Sequence, residues 1–375
     1  MFLPLMQNFQ KMAIDRNVIL EALSTLRDPS TGQDIVTVKM VETVQVDGNN
    51  VNITLALPSL NHPSKSDMIF SCQGIIQKIY PAAEVNVHVI ARTPQSQQES
   101  SSLPHIKNII AVASGKGGVG KSTVSVNLAL GLKKLGAKVG LIDADLYGPS
   151  IPTMLGLQGE RPKVQDVYGK PKIVPLEAFG MPVISMGFIV EPEQAVVLRG
   201  PRLAGIIRQF FQDVLWPELD YLVVDLPPGT GDIQLTLVQT VPVTGAVMVT
   251  TPQEVAVADA VKAMNMFLLD NVGVPILGVV ENMAWFTPEE LPDNKYFIFG
   301  QGGGKKLAHM SNSMLLGQVP LIQNIRESGD AGKPVIHTEN QKGAEAFLEI
   351  AKNTIRQVAL RNEMMAPTQV VQAQD

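Results

Sequence analysis

A glycine-rich stretch stands between a short apolar run and a longer segment with helical spacing; it reads Gly115-Lys116-Gly117-Gly118-Val119-Gly120-Lys121-Ser122-Thr123. The run before it, residues 109–113, has the length of a strand, and the apolar positions of residues 124–132 fit a helix packed on a sheet. Glycines let a backbone curl so that its N–H groups face phosphate oxygens, and a helix N-terminus adds the positive end of its dipole. The complete G-x-x-x-x-G-K-S pattern in this setting predicts a phosphate-binding loop for a nucleotide.

The residue types of this loop predict separate tasks for its side chains. Lys121 is expected to reach the β- and γ-phosphates, and the Ser122 hydroxyl is expected to bind Mg²⁺. ATP and Mg²⁺ are the expected ligands, and the nucleotide is expected to contact Gly115, Lys116, Gly117, Gly118, Val119, Gly120, Lys121, Ser122 and Thr123. The alternative is a solvated turn whose lysines are incidental.

Composition narrows the class of protein. At 375 residues, of which 45% are hydrophobic, the chain is long enough for two domains with cores of their own. Its net charge of −5 indicates no broad basic surface for nucleic acid or anionic lipid. No run approaches the ~18 to 20 apolar residues of a spanning helix, and residues 1–12 lack the features of a signal peptide. We expect a cytoplasmic protein with neither membrane nor nucleic-acid partners.

Residues 1–90 predict a small α+β domain. The apolar spacing of residues 18–26 fits one face of a helix, and Pro29 disfavours its continuation. Asp47-Gly48 between two alternating runs is a hairpin signal. The elements expected in order are a helix over 18–26, strands over 35–38, 40–46 and 51–57, a helix over 66–78 and a strand over 84–89.

A polar segment over residues 91–106 separates this domain from the rest, and it is read as a linker because it cannot bury enough apolar surface to order itself. Over residues 107–362, strands and helices alternate as in a doubly wound, mostly parallel α/β sheet. Residues 363–375, rich in Gln and Val, are expected to be a disordered tail. The strands expected are 109–113, 139–143, 221–225, 245–250, 276–281 and 315–319, and a helix over 343–361 closes the fold.

Aspartates follow two of these strands at positions that nucleotide chemistry needs. Asp225 ends an apolar strand near the loop and is predicted to hold Mg²⁺ through water, as a Walker B carboxylate does. Asp145 follows the neighbouring strand and is a candidate for orienting the attacking water, and Asp143 could share the outer shell of the metal ion. Each aspartate alone could instead be a helix N-cap or a solvated loop residue.

Lys116 makes the loop more specific, because an ordinary loop tolerates almost any residue after its first glycine. The pattern K-G-G-V-G-K-S resembles the deviant Walker A loop of the MinD/ParA/nitrogenase-iron-protein ATPases. That resemblance implies a homodimer in which Lys116 reaches the nucleotide of the partner, so that Lys116, Lys121 and Asp145 form the catalytic set. It also implies a switch loop over residues 228–232 and an adenine contact for Asn282, whose alternative is an N-cap role.

Further segments resemble the Mrp/ApbC branch of these ATPases, which carries iron–sulfur clusters. They are residues 145–150, 226–232 and 280–283, and residues 1–90 resemble the small iron–sulfur-assembly domain that precedes many such ATPases. The resemblance implies a 4Fe–4S cluster bridged by a C-x-x-C from each of two chains. Here residues 284–298 contain no cysteine, and Cys72, the single cysteine of the chain, stands where a small core residue is expected. No cluster ligands are identified, so the usual bridging cluster cannot form.

The leading hypothesis is a homodimeric ATPase that acts in iron–sulfur cluster assembly or delivery, with apoproteins or an assembly scaffold as partners. Without the C-x-x-C, it could chaperone cluster proteins instead of carrying a cluster itself. An alternative is a MinD- or ParA-like positioning ATPase on membrane or DNA, which needs a basic surface or a terminal amphipathic helix. A redox ATPase resembling the nitrogenase iron protein ranks last, because its cluster cysteines are absent too.

Overall fold

The computed structural model describes residues 14–27, 34–37, 40–57, 65–91, 103, 105–146, 148–189, 200–288, 290–291, 293–338, 341–368 and 370. The chain divides into two units. The first comprises Met1–Gln97 with Glu363–Ala366, and the second comprises Gln98–Asn362 with Pro367–Asp375.

Within its described residues, the first unit packs two helices on a three-stranded sheet. Its elements are α1 (Arg16–Leu23), β1 (Val41–Asp47), β2 (Asn50–Leu57), α2 (Lys65–Ile79) and β3 (Glu84–Ala91). Strand β2 lies in the middle, antiparallel to β1 and parallel to β3. The buried side chains of all five elements form one apolar cluster, which includes Ile19, Val51 and Cys72.

One expected strand of this unit is wrong. Residues 35–37 form a turn, in which the Asp34 carboxylate accepts the backbone N–H groups of Val36 and Thr37 at 3.1 and 2.7 Å. Aspartate commonly closes a turn in this way, so its side chain competes with a strand ladder for the backbone donors. Residue 38 lies outside the described residues.

The described part of the second unit alternates strands and helices. In chain order the elements are β4 (Ile106–Ala113), α3 (Lys121–Lys134), β5 (Val139–Asp143), α4 (Ile151–Met154), β6 (Lys163–Val167), β7 (Lys170–Val174), β8 (Leu176–Ala178), β9 (Met181–Ser185), α5 (Gly200–Gln212), β10 (Leu219–Asp225), α6 (Asp232–Thr240), β11 (Gly245–Thr250), α7 (Glu254–Leu268), β12 (Ile276–Phe286), α8 (Gly303–Met310), β13 (Leu315–Leu321), α9 (Gln323–Asp330) and α10 (Gln341–Met364). Short 3₁₀ turns cover Met186–Phe188 and Val335–His337.

Eight of these strands form one sheet in the order β13-β12-β11-β4-β10-β5-β9-β8. Neighbouring strands run parallel, except that β8 pairs antiparallel with β9. Every residue of β5 and β11 is buried, as expected for parallel strands covered by helices on both faces. Strand β10 inserts between β4 and β5 and ends beside both of them. The carboxyl ends of β4, β5 and β10 therefore meet at one edge, which is where open α/β sheets bind ligands.

Two elements differ from the expectations for the second unit. Helix α10 runs to Met364, so the first residues of the segment expected to be a disordered tail are helical. Strands β6 to β9 were not anticipated. Strand β6 is largely exposed and shows no apolar run, whereas β9 is short but largely buried and its apolar residues were not recognised as a strand. Strand β9 matters to the site, since it lies beside β5.

No helix within the described residues combines the length and the apolar character that crossing a bilayer requires.

Candidate nucleotide-binding site

The glycine-rich loop connects the carboxyl end of β4 with the N-terminus of α3 and lines a cavity of about 300 Å³. Three residues of the first turn of α3, Lys121, Ser122 and Thr123, line the same cavity. The first backbone N–H groups of a helix have no partner within the helix, so this end of α3 offers donors and a positive dipole to an anion. The fold thus provides the phosphate cradle that the loop pattern predicts.

Glycine is required at two points of the loop by its geometry. Gly118 and Gly120 have φ angles of +80° and +79°, a left-handed conformation that residues with a Cβ rarely adopt. A Cβ on Gly120 would in addition overlap the amide nitrogen of Asn282, whereas one on Gly118 would meet open space. Gly115 packs so closely on the backbone of Asp259 in α7 that any side chain there would collide with it.

Lys121 lies at the base of the cavity with its side chain only 6% exposed. Its ammonium nitrogen is 2.7 Å from Oδ2 of Asp225 and 3.9 Å from Oδ2 of Asp145. Taking a lysine charge out of water is costly unless anions compensate it, so this position is built for negative charge. Nucleotide phosphates would supply that charge where the cavity opens.

Asp225 ends β10 and is fully buried. Besides Lys121, two hydroxyls donate to it: Ser122 Oγ to Oδ2 at 2.7 Å and Ser125 Oγ to Oδ1 at 2.6 Å. A carboxylate and a hydroxyl oxygen in contact, next to a phosphate cradle, are the hard oxygen donors that Mg²⁺ prefers. The donor set therefore fits Mg²⁺.

Asp143 and Asp145 follow one another at the end of β5. Asp143 is fully buried and accepts Ser185 Oγ at 2.8 Å and the Asp145 backbone N–H at 3.1 Å. Burial, with the charge of nearby Asp225 as a second cause, raises the pKa of Asp143 to about 8. Asp145 is 8% exposed and lines the cavity, so it does not lie in a solvated loop.

Lys116 is exposed and lines the same cavity. Its backbone carbonyl accepts Ser114 Oγ at 3.1 Å, which fastens the start of the loop. Lys116 is thus exposed, whereas the side chain of Lys121 is buried. The two lysines of the loop therefore have different environments.

Asn282 lies inside β12 and not at a helix N-terminus, so the alternative of an N-cap role is wrong. Its side chain is buried, and Nδ2 donates to the carbonyl of Val119 at 2.8 Å. Asn282 therefore fastens the glycine-rich loop from the neighbouring part of the sheet. The next residue, Met283, has a φ of +53°, an uncommon conformation for a residue with a Cβ.

The donors that an iron–sulfur cluster needs are not found near this site. Residues 284–298 contain no cysteine, and the described residues contain no group of three or more His, Cys, Asp or Glu side chains suited to a metal ion. Cys72 lies in the core of the first unit, where burial raises the pKa of its thiol to about 11. A cluster ligand is a thiolate, so this buried thiol does not fit a 4Fe–4S cluster.

Three site residues were not predicted from the sequence: Ser125, Ser185 and Gln234. The sequence could have predicted Ser125, because it stands three positions after Ser122 on one helix and so shares its face. No local pattern predicts Ser185, since its position beside Asp143 results from the pairing of β9 with β5. Gln234 likewise becomes visible only when α6 is placed against the loop after β10.

The sequence is similar to that of known protein families. The family model described as NUBPL iron-transfer P-loop NTPase matches residues 105–355, and a model for iron-sulfur cluster assembly proteins matches residues 16–89. The iron-sulfur cluster carrier protein of Synechocystis is 44% identical over 347 residues, covering 92% of this chain and 98% of that protein. The carrier protein of Escherichia coli is 40% identical over 354 residues, covering 93% and 94%.

A solved structure shows the same fold for the second unit. The nucleotide-binding protein from Archaeoglobus fulgidus, in complex with ADP, matches with a TM-score of 0.56 and 38% identity over 66% of this chain and 94% of that chain. The mostly parallel α/β fold and the resemblance to the Mrp/ApbC branch are confirmed. The chain belongs to the iron-transfer P-loop NTPases, and it carries an iron–sulfur-assembly domain ahead of its nucleotide-binding unit.

Proposed function

We propose that this protein hydrolyses Mg²⁺·ATP as a homodimer, in the cytoplasm, and that hydrolysis drives a step of iron–sulfur cluster assembly or delivery to apoproteins. The observation that carries the proposal is the buried Lys121–Asp225 pair, 2.7 Å apart, at the base of the phosphate cradle. The family supports the cluster-related role, since its relatives are named iron-sulfur cluster carrier proteins. The family match favours a role in iron–sulfur cluster assembly or delivery over that of a positioning ATPase on membrane or DNA.

Hydrolysis of a phosphoanhydride depends mostly on positioning and on neutralising charge. In the proposed reaction Lys121 turns from Asp225 to the β- and γ-phosphates, and Asp145 orients the attacking water. Mg²⁺, held by Ser122 and by Asp225 through water, would neutralise further phosphate charge. Asn282 keeps the loop in shape through Val119, and an adenine contact for Asn282 remains part of the proposal.

Lys116 is proposed to act on the nucleotide of a second copy. Its exposure at the cavity supports this, because a buried lysine could not reach a partner. Lys116→Ala should then keep nucleotide binding within about threefold but lower turnover at least ~10-fold, the loss typical of one charge-stabilising contact. Lys107→Ala is the matched control, since Lys107 is an exposed lysine near the start of β4, at the opposite end of that strand. Equal turnover of both variants contradicts the role of Lys116.

Direct carriage of a bridging cluster is not part of this proposal, because the thiolates are lacking. We propose instead that nucleotide-driven changes of the dimer act on partners that hold the cluster, as a chaperone or scaffold does. We also propose a division of the chain into residues 1–90, a linker over 91–106 and an ATPase domain over 107–362. The matches over residues 16–89 and 105–355 are compatible with that division.

The test is anaerobic incubation of the full chain with iron and sulfide, followed by iron and sulfide analysis and an ATPase assay. We expect Mg²⁺-dependent ATP turnover that Lys121→Ala abolishes, ATP-dependent dimerisation in light scattering, and no stable cluster. A cluster that survives gel filtration and passes to an apo-acceptor contradicts the chaperone role, and Cys72→Ala then shows whether Cys72 holds it. No ATP turnover by the wild type contradicts the enzymatic proposal.

A further inference from the structure

Gln234 stands in the first turn of α6, outside the residues assigned to the nucleotide so far. Its side chain is 1% exposed. Its amide nitrogen donates to the carbonyl oxygens of Pro227 at 2.9 Å and of Gly229 at 3.0 Å. Since two carbonyls require a donor, the chemistry fixes which end of the amide faces the loop. Both protons of this amide are therefore used on one short segment.

That segment, residues 227–229, borders the phosphate end of the cavity. Pro228, between the two carbonyls, lines the cavity together with Lys116 and Gly117. Gly229 has a φ of +95° and donates its backbone N–H to the carbonyl of Ser114 at 2.8 Å. The segment is thus tied to Gln234 through its carbonyls and to the start of the glycine-rich loop through an N–H group.

The other end of the Gln234 side chain is unsatisfied. Oε1 is buried and has no hydrogen-bond partner within the described residues. A Cβ built on Gly231, the N-cap of α6, would lie 3.7 Å from it, so Oε1 is beside the backbone at the helix start. A glutamine at the third helical position often accepts the N–H of its N-cap residue, an arrangement that is not made here. Buried acceptors without a donor are rare and unfavourable.

We propose that Gln234 is a positioning residue for hydrolysis, whose amide holds residues 227–229 in place and whose unpaired Oε1 takes a backbone N–H of residues 230–232 when the loop closes on a bound triphosphate. The inference rests on the proposed function, because it concerns the response of the same site to its nucleotide. In the closed state, the Oε1 atom of Gln234 then has a hydrogen-bond donor. It also links the cavity wall at Pro228 to the start of α6.

The test compares the full-length variants Gln234→Met and Gln234→Glu with Gln239→Met. Gln239 is half-buried at the other end of α6, so its substitution controls for changes in that helix. Methionine keeps the length but removes the amide. Glutamate suits a helix N-terminus but replaces the donors by acceptors that oppose the two carbonyls. The measurements are ATP turnover, affinity for a non-hydrolysable ATP analogue, melting temperature, and hydrogen exchange over residues 226–233 with and without the analogue.

We expect both Gln234 variants to lose turnover at least ~10-fold, as the loss of one to two positioning hydrogen bonds predicts, with a smaller loss of affinity for the analogue. We also expect the analogue to slow exchange over residues 226–233 in the wild type and in Gln239→Met but not in Gln234→Met. Turnover within twofold of the Gln239→Met variant would overturn the inference. So would equal losses of turnover, affinity and melting temperature, which indicate a merely structural role.

The exchange measurement also separates this inference from the proposed function. If the wild type does not hydrolyse ATP, the proposed function fails, but analogue-induced protection can still be compared. Protection present in the wild type and absent from Gln234→Met supports the positioning role. Protection that is equal in the two proteins, or absent from both, overturns it.

Discussion

Asp225 shows how single residues prepare this site. One buried carboxylate accepts two serine hydroxyls and lies against one buried ammonium group. All three partners come from the first two turns of α3, so the helix and the end of β10 are joined by charge as well as by packing. Breaking a buried pair by removing one partner is strongly unfavourable, because the remaining charge is left uncompensated. The site residues therefore contribute to stability. Their substitution should change both the free energy of unfolding and the binding of nucleotide.

Lys121→Met removes the partner ammonium of Asp225. We expect the free energy of unfolding, measured by urea denaturation without nucleotide, to fall by about 3 kcal/mol. We also expect nucleotide binding to be lost. The double variant Lys121→Met/Asp225→Asn serves as the control and should regain much of the stability but none of the binding. A single variant as stable as the wild type would show that the pair is solvated.

Ser125→Ala removes a hydroxyl that donates to a fully buried carboxylate. We expect a loss of about 2 kcal/mol in the free energy of unfolding, the usual range for a hydrogen bond to a charged group. Ser311→Ala is a matched control, because the Ser311 hydroxyl donates to backbone carbonyls of Leu307 and Ala308 in α8. That variant should change stability by less than about 0.5 kcal/mol. Equal losses in the two variants would mean that Asp225 does not depend on Ser125.

At the scale of elements, the glycine-rich loop is held from outside itself. Asn282 in β12 fastens Val119, the backbone of α7 meets Gly115, and Ser114 holds the segment after β10. Three elements that are distant along the chain thus determine one loop. These contacts restrict the loop, and a binding loop that is restricted in this way loses less entropy when a ligand binds.

A comparison of Gly120→Ala with Gly118→Ala separates backbone strain from the contact between the loop and Asn282. Both residues have nearly the same left-handed φ, so both substitutions carry a strain of roughly 1 to 2 kcal/mol. A Cβ on Gly120 also overlaps Asn282, so we expect Gly120→Ala to weaken nucleotide binding at least ~10-fold more than Gly118→Ala does. Isothermal titration with an ATP analogue measures this. Gly120→Ala/Asn282→Ala should recover part of the difference, and no recovery would exclude the overlap as its cause.

At the scale of the whole molecule, the sheet order brings two carboxylates together in its interior. Because β10 lies beside β5, Asp225 and Asp143 pair in register at the same edge. Their proximity and burial favour the protonated form of Asp143. Ionisation of Asp143 is therefore unfavourable in the folded protein. The arrangement predicts a dependence of global stability on pH.

The pH prediction follows from the raised pKa of Asp143. Burial, then Asp225, raises this pKa from 3.8 to about 8, so between these values the folded chain keeps a proton that the unfolded chain has lost. Stability therefore falls as the pH rises across this window, by at most about 1.4 kcal/mol per unit. Asp143→Asn removes the titrating carboxyl group. The free energy of unfolding of this variant, relative to that of the wild type, should therefore grow from pH 5 to pH 8 in urea denaturation with EDTA and without nucleotide. A constant difference would mean that Asp143 stays ionised.

The sequence by itself determined the features whose signals are local. The loop pattern, the six expected parallel strands of the second unit, and the aspartates at strand ends all depend on neighbours within a few positions, where periodicity and glycine placement are informative. The tertiary structure alone decided which of these features meet. That β10 inserts between β4 and β5, that Asn282 fastens a loop 163 residues away, and that Ser185 and Gln234 face the site depend on packing between distant segments. Such contacts are selected by the burial of whole surfaces, so they leave no mark within a short window of the chain.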